Sequence, residues 1–211
     1  MYLPNQFAEP RIEELHRIVR ENSLGMMVRN TSTGMDADHL PFLLDADQSE
    51  HGTLIAHVAR NNPVWREIED GAKVLVVFRG VHGYISPNWY PGKQETHRFV
   101  PTWNYEVVHA HGSIHIRDDE RFVRGVVARL TRKHEADLAL PWKMGDAPAD
   151  YLAMQLGNIV GLEICLTRLE GKRKLNQHHR TPDREGAIRG LESVGNTGLA
   201  QAMRDTAKPA A

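Results

Sequence analysis

The sequence contains only one cysteine, Cys165, in 211 residues. A single cysteine excludes a disulfide within the chain and any zinc site built from several cysteines. Cys165 lies in the alternating stretch VGLEICLTRL, which predicts an inert, buried thiol in a β-strand. Such sparse use of cysteine fits a reducing compartment, so we expect a cytoplasmic location.

Long apolar runs and an excess of charge are missing as well. No run approaches the roughly 20 apolar residues that span a bilayer, and the first residues lack the pattern of a signal peptide, so we expect no membrane partner. The 26 basic and 27 acidic residues give a formal net charge of -1 at pH 7. This balance does not support DNA binding by the whole surface, although it is compatible with a local basic patch.

The glycines show neither G-x-G-x-x-G nor P-loop spacing, and strands do not alternate with helices as in a parallel sheet. The chain has instead many short, half-apolar segments separated by turn residues. These segments predict a mainly β fold of the α+β class, a small antiparallel barrel with peripheral helices. The strand segments are GMMVRN and HLPFLLD, joined through TSTGMDAD as a hairpin connection, then GTLIAHVA, the pair AKVLVVFRG and HGYISP, EVVHAHGSIHI, and IVGLEICLTRLEGKRKL.

Helical periodicity marks several remaining segments. A proline in the first turn and apolar residues at helical spacing predict a helix from Pro10 to about Asn22. Asp118 or Asp119 is suited to cap a second helix over about 120–135. Shorter helices are predicted at VWREIED, near Tyr151, from Pro182 after a Thr181 cap, and around Leu199.

The stretch AHVARNNPVW offers His57, then Arg60 and Asn61 just before a helix that begins at a proline. A guanidinium beside free backbone N–H groups at a helix start is suited to bind a phosphate. The alternative is that Arg60 is a solvated loop cation and that one asparagine only caps the helix.

Two segments, YISPNWYPG and VPTWNYEVV, concentrate aromatic side chains. Aromatic walls with a few hydroxyl groups are typical of sites for planar ligands. The same composition is typical of a dimer interface or of a lid on the core. The residues concerned are Trp89, Tyr90, Trp103 and Tyr105, with the hydroxyls of Ser86 and Thr102.

The strongest basic run is EGKRKLNQHHR, at the end of a long strand. It is suited to meet a phosphate or a DNA backbone, but a solvated strand end is the more common explanation. Its candidate residues are Lys172, Arg173, Lys174, His178, His179 and Arg180.

EVVHAHGSIHI places His109, His111 and His115 on one face of a predicted strand. Two strand histidines in H-x-H spacing are able to share a metal ion, but a catalytic zinc site needs about three ligands and the sequence marks no third one. We therefore expect a polar or ligand-facing strand and no metal site.

Several long motifs occur in fixed order: MYLPNQF, HLPFLL, GTLIAHVARNNPVW, VLVVFRGVHGYISPNWY, VPTWNYEVVHAHG and VGLEICLTRLEGKRKLNQ. Together they closely resemble the PaiB-like family of FMN-binding negative transcriptional regulators, from Met1 to about Gln177. The resemblance implies an FMN-binding split β-barrel over residues 1–177, a C-terminal helical extension over 178–211, and a homodimer with the flavin in a groove between subunits.

Carried onto this chain, the resemblance implies a set of cofactor-binding residues. Arg60, Asn61 and Lys174 become candidate phosphate ligands. The candidate flavin-pocket residues are Ser86, Trp89, Tyr90, Thr102 and Trp103, with His57 and Gln177 as further members.

Three functions follow as hypotheses. The first is an FMN-binding regulator of transcription, the second an FMN-dependent oxidoreductase acting on a small substrate, and the third a haem- or metal-binding protein that uses the H-x-H strand. Direct DNA binding has one candidate, a helix–turn–helix in PDREGAIRGLESVGNTGLAQAMRD. Its predicted turn, from Ser193 to Gly198, is long, and its second helix offers only Arg204 to read bases, so we expect the closing helices to pack against a dimer.

Overall fold

A computed structural model describes residues 1–206, which form two compact units. The first unit consists of Met1–Glu21, Arg79–His109 and the chain from Glu170 onwards. The second consists of Asn22–Phe78 and Ala110–Leu169. Among the described residues no helix is both long and apolar enough to cross a membrane.

Eight strands form one antiparallel sheet, as the alternating segments predict. The order along the sheet is β3-β2-β6-β7-β8-β5-β4, and β1 pairs with β8. The strands are β1 (Ala8–Glu9), β2 (Leu24–Thr31), β3 (Gly34–Pro41), β4 (Leu43–Asp45), β5 (Thr53–Ala59), β6 (Lys73–Ile85), β7 (Thr102–Arg117) and β8 (Ile159–Lys174).

The register within the second unit follows the burial pattern. Strand β5 pairs with β8 so that Ala56 is opposite Leu162, and both are fully buried. Strand β2 pairs with β6 so that Met27 is opposite Val76, and both are again fully buried. A shift of one residue would turn these side chains to the other face of the sheet, so burial fixes the register.

Two sequence predictions about strands need correction, although the hairpin predicted through TSTGMDAD is present as β2 and β3. TSTGMDAD is mostly strand, because β3 begins at Gly34 directly after a two-residue turn. Strand β3 is at the end of the strand order and its residues 34–37 are exposed, so the apolar alternation that marks a half-buried strand is missing there. AKVLVVFRG and HGYISP, which the sequence predicts as a pair of strands, are one continuous strand, β6.

The glycine at position 83 allows close packing within the first unit. A Cβ atom there would lie 2.6 Å from the Asn196 amide nitrogen and 3.0 Å from a Leu199 methyl group. Since both distances are shorter than normal contacts, only glycine lets β6 lie this near to the closing helices.

Seven α-helices occur among the described residues. The predicted first helix, the Asp119 cap and the helix over 120–135 are confirmed, and the Asp119 carboxylate accepts a hydrogen bond from the Phe122 backbone at 2.8 Å. Thr181 is not a cap, because it is the first residue of its helix and Arg180 precedes it. The helices are α1 (Ile12–Glu21), α2 (Val64–Glu67), α3 (Lys93–Thr96), α4 (Glu120–Glu135), α5 (Ala149–Gly157), α6 (Thr181–Ser193) and α7 (Thr197–Asp205).

Each unit has its own apolar cluster. In the second unit, Ile55 of β5 packs with Val126 and Leu130 of α4. In the first unit, α6 and α7 pack onto strand residues, so the two closing helices bury an apolar core there. That cluster contains Ile85, Tyr90, Leu175, Ala187, Ile188, Leu191, Leu199, Ala200 and Met203.

Candidate functional site

The first unit gathers aromatic and imidazole rings from three segments that are distant in sequence. The ring of Tyr90 stacks on His179 at 4.9 Å between centroids and on Phe99 at 5.0 Å. His178 lies 4.2 Å from His179 and meets the edge of Phe7. Two of the predicted pocket aromatics thus have different neighbours, because Tyr90 is buried in this stack whereas Trp103 is exposed.

Asn176 is hydrogen-bonded to the tyrosine of this stack. Its side-chain nitrogen donates a hydrogen bond to the Tyr90 hydroxyl at 2.9 Å, and its backbone has a left-handed φ of 60°. Asparagine tolerates this conformation better than most residues. The Asn176 Oδ1 atom is buried and accepts no hydrogen bond from the described residues. A buried acceptor in this state is an open position for a donor from water or from a ligand.

The environment shifts the pKa values of this cluster. Burial lowers the pKa of both His178 and His179, and the charge of Lys174 acts in the same direction on each. Burial also raises the pKa of Tyr90, against the hydrogen bond from Asn176. All three rings are therefore held toward their neutral forms near pH 7.

Lys174 and Thr102 form the part of this unit best suited to an anion. The Lys174 ammonium donates to the Thr102 hydroxyl at 2.5 Å, and both side chains are partly exposed. The next residue, Trp103, is 54% exposed and meets the ring of Tyr84 edge to face at 6.3 Å. The cation–hydroxyl pair and the exposed aromatic pair thus lie at successive residues at the start of β7, on opposite faces of the strand.

Trp89 and Ser86 lie at the end of β6, and each has a structural partner. The Ser86 hydroxyl accepts a hydrogen bond from the Asn88 backbone at 3.2 Å. The indole of Trp89 covers Gly190 of α6, and the Trp89 backbone carbonyl lies against Gly186, so a Cβ atom at either glycine would overlap Trp89. In this structure Trp89 therefore packs α6 against the strand.

Gln177 fastens the turn after β8. Its side-chain oxygen accepts a hydrogen bond from the Leu175 backbone at 2.7 Å, and its side-chain nitrogen donates to the Arg173 carbonyl. Both ends of the amide are thus used by the backbone, which positions the neighbouring Asn176.

A buried ionic network in the same unit has no signature in the sequence. Arg173 donates to Glu106 at 2.6 Å and lies 3.4 Å from Glu9 and 3.3 Å from Glu14. The side chains of Arg173, Glu106 and Glu9 are only 3–6% exposed. The basic run is therefore not a solvated strand end at Arg173, because its guanidinium is neutralised inside the protein.

The second unit contains the other predicted residues. Arg60 forms two hydrogen bonds with Asp118 and further bonds with the carbonyls of Gly157 and Ile159. The Asp118 hydrogen bond raises the pKa of Arg60, and the reciprocal bond lowers the pKa of Asp118. The Arg60 fork is thus fully engaged, and a phosphate would have to displace Asp118.

Asn61 and His57 differ in their surroundings. Asn61 is exposed, whereas the next residue, Asn62, accepts a hydrogen bond from the Val64 backbone at 2.9 Å and so supports the start of α2. Burial lowers the pKa of His57, whose Nδ1 atom is buried without a hydrogen-bond partner among the described residues. His57 is therefore held as a neutral ring.

The three histidines of β7 share one strand face, as predicted. They alternate with the buried residues Ala110, Gly112 and Ile114. Within the second unit His115 lies 3.1 Å from Asp70, and the His111 Nε2 atom lies 3.1 Å from the Arg168 guanidinium.

The candidate helix–turn–helix has a shorter turn than the sequence suggests. Helix α6 ends at Ser193 and α7 begins at Thr197, so the prediction of a long turn is wrong. Gly195, with φ of 79°, reverses the chain in this short space. Arg204, the one predicted base-reading residue, pairs with Glu192 of α6.

The antiparallel open sheet with peripheral helices places the structure in the class of the split β-barrels. The structure resembles that of the FAD and heme binding protein from Mycobacterium smegmatis, with a TM-score of 0.57 and 15% identity over 79% of this chain and 73% of the other. The predicted fold class is confirmed.

Residues 1–168 match the family model described as "Putative FMN-binding domain". The Bacillus subtilis protease synthase and sporulation protein PAI 2 is 31% identical over 99% of each chain. The uncharacterized protein AN0679 of Emericella nidulans is 32% identical over 92% of each chain. The chain therefore belongs to the FMN-binding domain family, and the predicted family and its cofactor, FMN, are confirmed at this level.

The residues of the first unit fit FMN in chemical type. FMN carries a planar ring system, a hydroxylated chain and a phosphate. Lys174 and Thr102 are suited to the phosphate or the hydroxyls, and the exposed Tyr84 and Trp103 are suited to the ring system.

Proposed function

We propose that the protein is an FMN-binding regulator of transcription of the PaiB-like type, acts as a negative regulator, and works as a homodimer. The observation that carries the proposal is the match to the FMN-binding family over residues 1–168, together with the full-length relationship to PAI 2. When bound, FMN supplies a redox centre that takes up or gives up hydride. The chain supplies binding and orientation.

Lys174 and Thr102 are proposed to bind the flavin phosphate, and Trp103 with Tyr84 to cover the ring system. Lys174 supports this role because its hydrogen-bond partner among the described residues is the neutral hydroxyl group of Thr102. An incoming phosphate would add charge–charge attraction at Lys174 without breaking an ion pair. Ser86, Tyr90 and Gln177 are proposed to shape the pocket through the loops that they hold.

His57, Arg60 and Asn61 remain proposed cofactor contacts from the second unit. Arg60 is bound to Asp118 in this structure, so its part in phosphate binding requires Asp118 to move away. Asn61, the residue after Arg60, has an exposed side chain, and His57 offers a neutral, buried ring nitrogen.

The first test is an absorbance spectrum of protein purified without added cofactor, repeated after FMN is added and the excess removed. A retained flavin spectrum at one FMN per chain is expected. Lys174→Gln is expected to weaken FMN binding about tenfold or more, because a charge-assisted contact to phosphate is lost. Lys73→Gln is the matched control, since Lys73 also donates to a hydroxyl, that of Ser113 at 2.7 Å. Equal binding by both variants would remove Lys174 from the site.

A regulator and an oxidoreductase differ in how the bound flavin reacts. For a regulator we expect slow bleaching of bound FMN by NADH or NADPH in the absence of oxygen. Bleaching within seconds, with turnover of an added acceptor, would favour the oxidoreductase instead. A Soret band or a stoichiometric metal in the purified protein, lost when both His109 and His111 are replaced by alanine, would favour the third hypothesis.

Direct DNA binding requires its own experiment. The segment from Thr181 to Thr206 contains three arginines and four acidic residues, so it has no basic excess, although the short α6–α7 turn has a length found in helix–turn–helix motifs. Sheared genomic DNA is to be selected on the FMN-loaded protein, with Arg204→Gln as the variant. Enrichment of defined fragments that this variant loses would support base reading. No enrichment would assign regulation to a protein partner.

A further inference from the structure

A groove along helix α4 in the second unit has no part in the proposed flavin site. It consists of two adjacent cavities of about 820 and 360 Å³. Ala128 and Arg132 line both cavities, so the groove is continuous along one side of the helix. Volumes of this size are in the range of small-molecule sites in proteins.

The larger cavity has an excess of positive charge, because its arginines outnumber the two carboxylates that line it, Asp119 and Glu163. Four arginines line it, of which Arg117 pairs with Glu163 and Arg129 lies 3.3 Å from Asp45. The other two, Arg121 and Arg132, form no ion pair with any described residue. Their charges are therefore available to an anion, and guanidinium groups bind carboxylates and phosphates through paired hydrogen bonds.

A glycine of α4 borders the larger cavity and leaves room there for a side chain. Gly125 faces the larger cavity, and a Cβ atom there would meet nothing within 4 Å. Glycine inside a helix costs roughly 1 kcal/mol relative to alanine. No packing contact explains the glycine, so its effect in this structure is to leave space beside the arginines.

The smaller cavity is mainly apolar. Pro141, Trp142 and Met144 form one wall of it against α4, and Trp142 is 43% exposed. The Glu135 carboxylate accepts a hydrogen bond from the Trp142 backbone at 2.8 Å, which fastens this wall to the helix. An exposed indole held in a cavity is a binding surface for a hydrocarbon or an aromatic ring.

We propose that this groove binds an amphiphilic organic anion, with its carboxylate or phosphate head at Arg132 and its apolar tail against Trp142. Arg132 carries the head because it lines both cavities. Arg121 is 11 residues away on α4, about 16 Å along the axis, so it attracts the ligand without contacting the same head group. The charge and the apolar wall together select an anion with a tail over a bare anion or a neutral hydrocarbon.

The probe is dodecanoate below its micellar concentration, with dodecyl phosphate as a second head group, followed by calorimetry and tryptophan fluorescence. Arg132→Gln is expected to weaken binding about tenfold or more and Arg121→Gln about twofold to threefold. Arg124→Gln is the matched control, because Arg124 is on the same helix and does not line the groove. Gly125→Leu is expected to block binding, and its helical propensity keeps the helix intact.

Three further results decide the proposal. Trp142→Phe is expected to remove the fluorescence change while keeping calorimetric binding. Acetate or inorganic phosphate is expected to bind at least tenfold more weakly than dodecanoate. Equal affinity in Arg132→Gln and Arg124→Gln, or equal affinity for dodecyltrimethylammonium, would overturn the proposal. Displacement of dodecanoate by FMN would also overturn it by making the groove the flavin site, whereas flavin retention is measured separately and can fail by itself.

Discussion

Replacement of Arg173 by leucine should destabilise the protein more than any surface charge change. The Arg173 side chain is only 6% exposed and lies within 3.4 Å of three carboxylates, those of Glu9, Glu14 and Glu106. Leucine removes the cation and leaves Glu106 and Glu9 buried, at 3% and 6% side-chain exposure. A buried charge without its partner is costly, because it has lost its hydration and no opposite charge compensates for that loss.

The expected loss in the free energy of unfolding is about 3–5 kcal/mol, the range for breaking a buried ion pair on one side. Two arginines reduce the loss, because Arg11 binds Glu9 at 2.6 Å and Arg17 lies 3.3 Å from Glu106. We therefore place the effect near the lower limit. Because domains are stable by about 5–15 kcal/mol, this change still removes a large fraction of the total.

The assay is urea unfolding at pH 7, followed by circular dichroism. Arg189→Leu is the control, since Arg189 is also in the first unit and pairs with Glu185 at 3.9 Å, but both side chains are about 60% exposed or more. Exposed pairs contribute about 0–1 kcal/mol, so this control should change little. Equal losses in the two variants would refute the reasoning that burial makes the Arg173 network strong.

The network also predicts how stability depends on pH. Burial acts to raise the pKa of Glu9, but hydrogen bonds and charge from Arg11, with the charge of Arg173, hold its pKa below the ordinary value. Glu9 therefore stabilises the fold above its unfolded pKa, and this contribution is lost as the pH falls through its folded pKa. The Arg173→Leu variant should show a smaller acid-induced loss than the natural protein, measured by unfolding between pH 7 and pH 3.

Three further predictions concern the aromatic cluster of the first unit. Gly190→Leu should displace Trp89, cost about 1–3 kcal/mol from overpacking, and shift tryptophan emission to longer wavelength. Burial lowers the pKa of His179, so its contribution to stability is present above its unfolded pKa and falls as the pH drops toward its folded pKa. His179→Phe should therefore flatten this part of the plot of unfolding free energy against pH. Asn176→Ala should cost about 1–3 kcal/mol through the left-handed φ and the lost Tyr90 bond, whereas Asn176→Gly should lose mainly the bond, as measured in urea.

Local signals in the sequence were sufficient for the elements with regular periodicity. Helix α4 follows from its apolar stripe and from Asp119, which caps the helix in the structure as it does in the prediction. Strand β8 follows from its alternation, and its bounds agree with the predicted segment to within one residue. Such signals act over a few residues, so they do not depend on contacts with distant parts of the chain.

Other features could not be predicted because their cause lies far along the chain. Gly83 lies inside a predicted strand without any mark of its own, and its role is set by contact with residues 196 and 199. The role of Asn176 is also set by a distant residue, because its side chain donates a hydrogen bond to Tyr90, 86 positions earlier. No local pattern in the sequence marks either residue, and only the tertiary contact tells what the residue does.

The cations of the predicted site illustrate the same limit and rank the candidates for the flavin phosphate. Arg60 and Arg173 each have carboxylate partners, so a phosphate at either position must break an existing ion pair. Lys174 has a neutral hydroxyl partner, and binding a phosphate there exchanges a weaker contact for a stronger one. Lys174 should therefore contribute more to FMN affinity than Arg60, and Lys174→Gln and Arg60→Gln, compared by flavin titration, measure that difference. A larger loss in Arg60→Gln would mean that Asp118 releases the guanidinium when the cofactor binds.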